Sequence, residues 1–176
     1  EIREFFYARN VLEVDTPLLS QGSVTDVHLD AFYTGFSHSH IGKAQSLYLQ
    51  TSPEYAMKRL LCAQSGPIYQ LCKAFRHEGA GRWHNPEFTM LEFYQAYANY
   101  LDLMDIGEEI LNGLARDIVG KEEVEWGEHK VSLARPFKRM TMLEAIEAHG
   151  GPSQADAKDY EKSGQVLSEL GYNIEG

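Results

Sequence analysis

The sequence predicts an α+β domain in which an antiparallel sheet is flanked by helices. Two apolar segments of strand-like composition, 68–76 and 87–97, are separated by a polar stretch with two glycines, which favours a long-looped antiparallel hairpin. From Tyr100 the apolar residues recur three and four positions apart, the period of an amphipathic helix, and Gly120 ends that run. A parallel α/β fold is disfavoured because the best strands are joined as a hairpin. Both glycine-rich phosphate loops are absent, so the common nucleotide folds have no support.

Shorter elements are predicted before the hairpin. Residues 1–9 have the apolar spacing of a helix, and the segment VLEVDTP is a short strand that must stop near Pro17. Residues 20–46 are polar and irregular, and their second part, FSHSHIGKAQS, predicts an exposed loop. LYLQT, residues 47–51, alternates as a strand does. The first part of the chain therefore predicts a helix and two strands, with an irregular stretch between the strands that includes an exposed loop.

Helix-start and turn signals fix three further elements. Ser52 is the predicted N-cap of a helix with Pro53 at its first position. VEWGEHKVSL predicts a small hairpin around Gly127. Thr141 and Glu144 have the spacing of a capping box, which predicts a helix over MLEAIEAHG.

Composition limits the class of protein. The chain has 176 residues, of which 43% are hydrophobic and 24% charged, and its net charge is -10. That charge disfavours a broad nucleic-acid footprint, which needs clustered basic residues. No apolar run reaches membrane-spanning length, and two cysteines in apolar surroundings are typical of buried thiols. We expect a cytoplasmic protein without a membrane anchor.

One strand of the predicted hairpin combines a charge with aromatic residues. Alternation places Phe88, Met90, Glu92 and Tyr94 on one face, and both faces are apolar enough to predict a central strand. Phe88 and Glu92 are about 13 Å apart along a strand. With Arg76 at the loop end, that face suits a ligand with a flat ring, a phosphate and an ammonium group, such as an aminoacyl-adenylate.

The same residues also have a purely structural explanation. Most strand aromatics belong to the core, so Phe88 and Tyr94 require no ligand. Glu92 can form a structural ion pair with Arg76 or Lys73. Geometry alone leaves this explanation favoured.

A metal site is a further alternative. Its possible ligands are His38, His40, His77, Glu78 and His84. HEGAG lacks the second histidine of a metalloprotease helix, and SHSH has no partner at a ligand spacing, so this alternative is weak.

Three stretches resemble a known family. FRHEGAGRWHNPEFTMLEFY, residues 75–94, resembles motif 2 of the class II aminoacyl-tRNA synthetases, and HNPEFTM is similar to their lysyl branch. VLEVDTP resembles the end of motif 1, which implies a homodimer with Pro17 at the interface. TSPEYAMKRLL resembles the segment that carries an acid to the substrate's amino group. The resemblance implies a class II catalytic core over 1–120, with 121–176 as an insertion-like hairpin and helices of the same domain.

Two groups within the lysyl branch compete. SQGSVTDVHL, TSPEY and GAGRWHNPEF look more like the elongation factor P–(R)-β-lysine ligases, whereas the segment after Tyr94 reads at least as much like the lysyl-tRNA synthetases. The preferred resemblance implies activation of lysine or β-lysine with ATP and Mg²⁺, and transfer to a lysine of elongation factor P. The alternatives are a tRNA-Lys acceptor and a non-catalytic binding or dimer module.

The resemblance implies roles for the nucleotide end of the site. Arg76 would contact the α-phosphate and act as the catalytic residue. Glu78 would accept from the adenine amino group, and Phe88 would stack on adenine. His84 would reach the outer phosphates, and Asn85 would steady the loop, in some members by meeting a phosphate.

It also implies roles for the amino-acid end. Glu92 and Tyr94 would hold the side-chain ammonium of a lysine-like substrate, and Glu54 would meet its other amino group. Ser52 would line this pocket, where the synthetases typically carry a smaller side chain. Without the resemblance, Glu54 is explained as a first-turn acid that complements the helix dipole.

The resemblance has one gap. No stretch after Tyr97 resembles motif 3, and the ligands for magnesium are not accounted for. We therefore expect an N-terminal portion of a catalytic domain, incomplete at its C-terminus, that does not turn over alone. The sequence leaves the choice between α- and β-lysine open.

Overall fold

The structure of the chain is a computed structural model. In it the chain forms two compact units, Glu1–Ser132 and Leu133–Gly176. The residues that it describes are 1–37, 45–79 and 81–173. The sequence predicted a catalytic core over 1–120 and an insertion-like region over 121–176. The two compact units do not test that division, which stays a prediction.

The first unit contains three helices and eight strands among the described residues. In chain order they are α1 (Ile2–Tyr7), β1 (Leu12–Glu13), β2 (Leu19–Ser20), β3 (Tyr33–Phe36), β4 (Gln45–Leu49), α2 (Glu54–Cys62), β5 (Ile68–Phe75), β6 (Glu87–Tyr94), α3 (Tyr100–Leu114), β7 (Glu123–Trp126) and β8 (His129–Ser132). A π-helical turn, Ala115–Val119, extends α3 to Gly120, which is left-handed at φ 78°. The long hairpin, the helix ending at Gly120 and the hairpin around Gly127 are thus confirmed.

The sheet that carries the long hairpin has the strand order β1-β5-β6. β5 and β6 are antiparallel, with Ile68 opposite Tyr94 and Phe75 opposite Glu87. β1 pairs with β5 in parallel, so the prediction of a purely antiparallel sheet was wrong. The long connection from β1 to β5 includes α2 and provides the crossover that parallel pairing requires.

β6 is an edge strand of this sheet among the described residues, so the prediction of a central strand was wrong. Apolar residues on both faces of a strand indicate that both faces of the sheet are covered there. They do not indicate whether another strand pairs with each edge of that strand. The core covers one of these faces.

The core of the first unit joins α1 and α3 to one face of β5 and β6. Phe6, Val11, Tyr69 and Ile110 form its buried cluster, and the rings of Phe6 and Tyr69 stack with centroids 4.3 Å apart. Partly buried residues pack against that cluster, including Leu91 and Phe93 of β6. Leu91 and Phe93 of β6 thus meet the core on the face predicted for the odd positions, whereas Glu87 and Thr89 of the same face are exposed.

A second sheet has the antiparallel order β2-β4-β3. β3 lies within the stretch described as polar and irregular, where no strand was predicted, and most of the predicted exposed loop FSHSHIGKAQS lies outside the described residues. Tyr33–Phe36 is a short, exposed strand that contains a glycine, and it is stabilised by pairing with β4 rather than by a local apolar pattern. The predicted strand at 47–51 is β4, which begins two residues earlier and ends at Leu49.

The described residues of the second unit form two α-helices, α4 (Met142–Ala148) and α5 (Tyr160–Glu169), and a short 3-10 helix, Asp156–Lys158. The capping box before α4 is confirmed, because the Thr141 side chain accepts from the Glu144 backbone and the Glu144 side chain accepts from the Thr141 backbone. The bond from the Thr141 backbone lowers the pKa of Glu144. No helix in the described part of the chain is long and apolar enough to cross a membrane.

Candidate active site

Two cavities lie beside the β5–β6 hairpin. The first, which we call the loop cavity, has a volume of about 290 Å³. It is lined by Arg76, Glu78, Trp83, His84, Asn85 and Phe88. The second, which we call the strand cavity, has a volume of about 520 Å³. Its lining includes Thr51, Ser52, Glu54, Tyr55, Arg76, Met90, Glu92 and Tyr94.

Backbone hydrogen bonds fix the base of the loop between β5 and β6. The Arg76 amide donates to the carbonyl of Pro86 at 3.0 Å, which continues the hairpin by one pair beyond the strands. The His77 amide donates to the carbonyl of Asp30 at 2.8 Å. These bonds fix the backbone of Arg76 at the start of the loop, and Arg76 lines both cavities.

The Arg76 guanidinium carbon lies 5.3 Å from the centroid of the Phe88 ring, within the range of a cation–π contact. Its Nε donates to the carbonyl of Thr51 at 3.4 Å. The side chain is half-buried. An arginine held in this way keeps further N–H donors for an anion such as a phosphate.

The five residues predicted for the nucleotide end all line the loop cavity, together with Trp83, which the sequence analysis missed. An exposed tryptophan in a polar loop usually has a ligand or an aromatic partner, because its large apolar ring is otherwise left in water. That signal was present in RWHNP but was not used.

The strand cavity brings together the four residues predicted for the amino-acid end. The Ser52 hydroxyl donates to one oxygen of Glu92 at 2.7 Å, and the Tyr94 hydroxyl donates to the other at 2.6 Å. Burial raises the pKa of Tyr94, and its hydrogen bond to Glu92 adds to that effect. The carboxylate of Glu92 is therefore fixed by two neutral donors.

Helix α2 begins one residue later than predicted. Its N-cap is Pro53 rather than Ser52. The Ser52 hydroxyl still accepts from the Glu54 amide at 3.1 Å while it donates to Glu92. Its side chain thus ties the start of the helix to the opposite wall of the cavity.

Glu92 forms no salt bridge with a lysine or arginine of the described residues. The predicted structural pairing with Arg76 or Lys73 is wrong, since Lys73 pairs with Glu87 at 3.4 Å. A half-buried carboxylate without a cation is costly unless a ligand supplies one. The cavity therefore has the chemistry of a site for an ammonium group.

Glu54 also lines the strand cavity, but its carboxylate is already paired. Lys58, one helical turn along α2, contacts it, and that hydrogen bond raises the pKa of Lys58. A substrate amino group at Glu54 would share the carboxylate with Lys58. The role predicted for Glu54 stays a prediction.

Phe88 and Glu92 line different cavities, and Arg76 lines both. The spaces predicted for the two ends of the ligand are thus separate cavities, and Arg76 is the residue that lines both. A ligand that filled both would pass this side chain with its middle portion, where a phosphate is the group that an arginine binds best.

Pro17 lines a third cavity, of about 520 Å³, together with the segment after β2 and the start of α2. This cavity adjoins the strand cavity, and the residues that line both are Val24, Thr51, Ser52, Glu54 and Tyr55. The predicted place of Pro17 in a dimer interface stays a prediction.

No group of three or more His, Cys, Asp or Glu that could hold a metal ion occurs within residues 1–37, 45–79 and 81–173. His38 and His40 of the alternative metal site lie outside the described residues. The described carboxylates therefore form no cluster of this size, and the magnesium ligands stay unassigned.

Comparison with known proteins gives the family. The family model for class II tRNA synthetases of the D, K and N type matches residues 1–168. The chain belongs to this family. Its class II resemblance is confirmed, and the mixed and antiparallel sheets with helices agree with an α+β synthetase domain.

The curated relatives of this class II chain fall into two groups. An elongation factor P–(R)-β-lysine ligase from Pseudoalteromonas translucida is 57% identical over 123 residues, which cover 70% of the chain and 38% of that ligase. The ligase of the same name from Photobacterium profundum is 56% identical over 110 residues, covering 62% of the chain and 34% of that protein.

The second group matches at lower identity over more of the chain. A lysine–tRNA ligase from Actinobacillus pleuropneumoniae serotype 5b is 39% identical over 175 residues, which cover 99% of the chain and 34% of that protein. The chain thus spans about a third of the length of each of these relatives.

Proposed function

We propose that this chain carries the site at which a ligase activates a lysine-type amino acid with ATP, before the acyl group passes to a lysine of elongation factor P. The observation that carries the proposal is the position of Arg76, which lines both the loop cavity and the strand cavity. An aminoacyl-adenylate has its phosphate between a base and an amino acid, and the two cavities have that order.

The proposed first step joins the substrate carboxylate to the α-phosphorus of ATP. A carboxylate oxygen forms the new bond to phosphorus, the bond to the bridging oxygen breaks, and pyrophosphate leaves with that electron pair. The Arg76 guanidinium would stabilise the negative charge on the phosphoryl oxygens as the bonds exchange. Positioning and charge supply the catalysis.

The two cavities would hold the ends of the reacting pair. Phe88 would stack on adenine, Glu78 would accept from its amino group, and His84 and Asn85 would lie near the outer phosphates. Glu92 would pair with the ammonium of the amino acid, with Ser52 and Tyr94 fixing its carboxylate. ATP enters such reactions with Mg²⁺ bound to its phosphates.

The acceptor is proposed from the relatives. Identity of 56–57% to proteins named elongation factor P–(R)-β-lysine ligase favours a protein acceptor over the 39% match to a lysine–tRNA ligase. The tRNA acceptor is kept as the second candidate because its match covers 99% of the chain. An assay of the full gene product with labelled lysine and β-lysine, ATP, and either acceptor decides between them. We expect label on elongation factor P, and label on tRNA-Lys alone would replace the proposal by the second candidate.

Binding distinguishes an activation site from a non-catalytic module. We expect calorimetry to show that the 176-residue chain binds ATP, and a chain that binds no nucleotide would contradict the proposed site. Because no stretch after Tyr97 resembles motif 3, we expect these 176 residues alone to release no pyrophosphate from ATP and lysine. Robust release would contradict that expectation.

We also propose that the protein is a cytoplasmic homodimer, from the likeness of VLEVDTP to motif 1. Light scattering of the full gene product should give twice the mass of one chain. The mutation Pro17→Ala should raise the dimer dissociation constant, and a monomeric wild-type protein would contradict the proposal.

A further inference from the structure

The only two tryptophans of the sequence stack on each other. The ring centroids of Trp83 and Trp126 are 5.4 Å apart, with an angle of 29° between the ring planes. Each side chain is 62% exposed, so the contact is made at the surface and not in a core. Forty-two residues separate the two positions in the chain.

The stack joins two parts of the first unit. Trp83 belongs to the loop between β5 and β6 and lines the loop cavity beside His84 and Asn85. Trp126 is the last residue of β7, opposite His129 and next to the turn at Gly127. The β7–β8 hairpin therefore reaches the loop that supplies five of the six residues lining the loop cavity.

The outer part of this loop, residues 81–85, which we call the outer loop, has only weak contacts otherwise among the described residues. Gly81 and His84 form an isolated bridge whose two N···O distances are 3.4 and 3.3 Å, longer than a typical backbone bond. The Arg82 guanidinium carbon lies 4.8 Å from the Trp83 ring centroid, but Arg82 belongs to the same loop. Trp126 thus supplies a contact from a separate element to the outer loop.

We propose that Trp126 is a positioning residue for nucleotide binding: by stacking on Trp83, it fixes the outer loop so that His84 and Asn85 face the loop cavity. The inference rests on the proposed function, since it assumes that the loop cavity takes ATP. A loop ordered before binding loses less conformational entropy when the nucleotide arrives, so the stack raises nucleotide affinity without touching the ligand.

The first measurement detects the stack itself. Two stacked indoles couple their electronic transitions, and because the sequence has only two tryptophans, a tryptophan exciton couplet in the circular dichroism spectrum can arise only from this pair. We expect the couplet in the wild-type chain and its loss in both W83F and W126F. A wild-type chain without the couplet would overturn the inference and leave the proposed function standing.

The second measurement is calorimetry with ATP and, separately, with lysine. We expect W126A to weaken ATP binding by about two- to tenfold, the range that an aromatic pair is worth, and to change lysine binding by less than about twofold. The conservative variant W126F should stay within about twofold of the wild type for ATP. In a W83A background, W126A should have no further effect, because its partner is already gone.

Val131→Ala is the matched control. Val131 lies on the same hairpin, is 41% exposed and pairs with Val124, away from the loop. We expect V131A to bind ATP as the wild type does. Equal weakening by V131A and W126A, equal loss of ATP and lysine binding in W126A, or wild-type ATP affinity in W126A would each overturn the positioning role alone. A wild-type chain that binds lysine but no ATP would overturn the proposed function together with it.

Discussion

The hydroxyl of Ser52 donates a 2.7 Å hydrogen bond to the carboxylate of Glu92. The bond crosses the strand cavity from the start of α2 to the edge strand β6. With Tyr94 on its second oxygen, the carboxylate of Glu92 is held by two hydroxyl groups. This arrangement is the basis for the ammonium site proposed in the strand cavity.

Glu92→Gln removes that charge while keeping the shape of the side chain. Because a hydrogen bond to a charged group is worth about 1.5–3 kcal/mol, we expect lysine affinity to fall by about ten- to 150-fold, with ATP affinity within about twofold of the wild type. Calorimetry with each ligand measures both. Glu87→Gln is the control, since Glu87 lies on the opposite face of β6 and pairs with Lys73. If E92Q binds lysine as tightly as the wild type does, Glu92 does not pair with the ammonium group of the substrate.

Arg76→Lys tests the shared arginine. Lysine keeps the positive charge but lacks the planar fork that donates two parallel hydrogen bonds to a phosphate. We expect ATP affinity to fall about tenfold or more by calorimetry, while lysine affinity changes less. Arg3→Lys, at a surface arginine that pairs with Glu13, should leave both unchanged. If R76K binds ATP as tightly as the wild type, the arginine does not contact the phosphates.

Tyr94 should resist ionisation. Burial and the bond to Glu92 favour its protonated form, so its pKa lies above the usual value near 10. The stability that this raised pKa contributes is fully present below about pH 10 and is lost as the pH rises through the folded-state value. A titration of tyrosinate absorbance to about pH 11 should therefore be the same for Y94F and the wild type.

The opposite outcome is equally specific. Because its pKa is raised, Tyr94 should not contribute to the tyrosine ionisation step near pH 10. Loss of one tyrosine from that step in Y94F would show that Tyr94 is not protected by burial and by Glu92.

Part of this structure could be predicted because it depends on local rules. The alternation of β6 assigns its faces directly, since a strand turns successive side chains to opposite sides. Gly120 could be recognised as a helix end because a left-handed residue there favours glycine. The candidate site residues were predicted through likeness to motif 2 and, for Ser52 and Glu54, through the likeness of TSPEYAMKRLL. Composition and spacing alone favoured a structural role.

The errors concern contacts between distant segments. The sequence shows which faces of a strand are apolar but not which strands lie beside it, so β6 was placed centrally and the parallel pairing of β1 was missed. The contact between Trp83 and Trp126 likewise depends on where the β7–β8 hairpin lies in the first unit. A single sequence carries no signal for such a pair.

The central claim is that the loop cavity and the strand cavity form one site joined at Arg76, and a stable mimic of lysyl-adenylate, with a sulfamoyl link in place of the phosphate, tests it most directly. We expect the chain to bind this mimic at least about 100-fold more tightly than it binds AMP or lysine alone, because one molecule fills both cavities. We also expect F88A and E92Q each to weaken the binding. A mimic bound no more tightly than AMP, or bound equally by E92Q, would contradict the account.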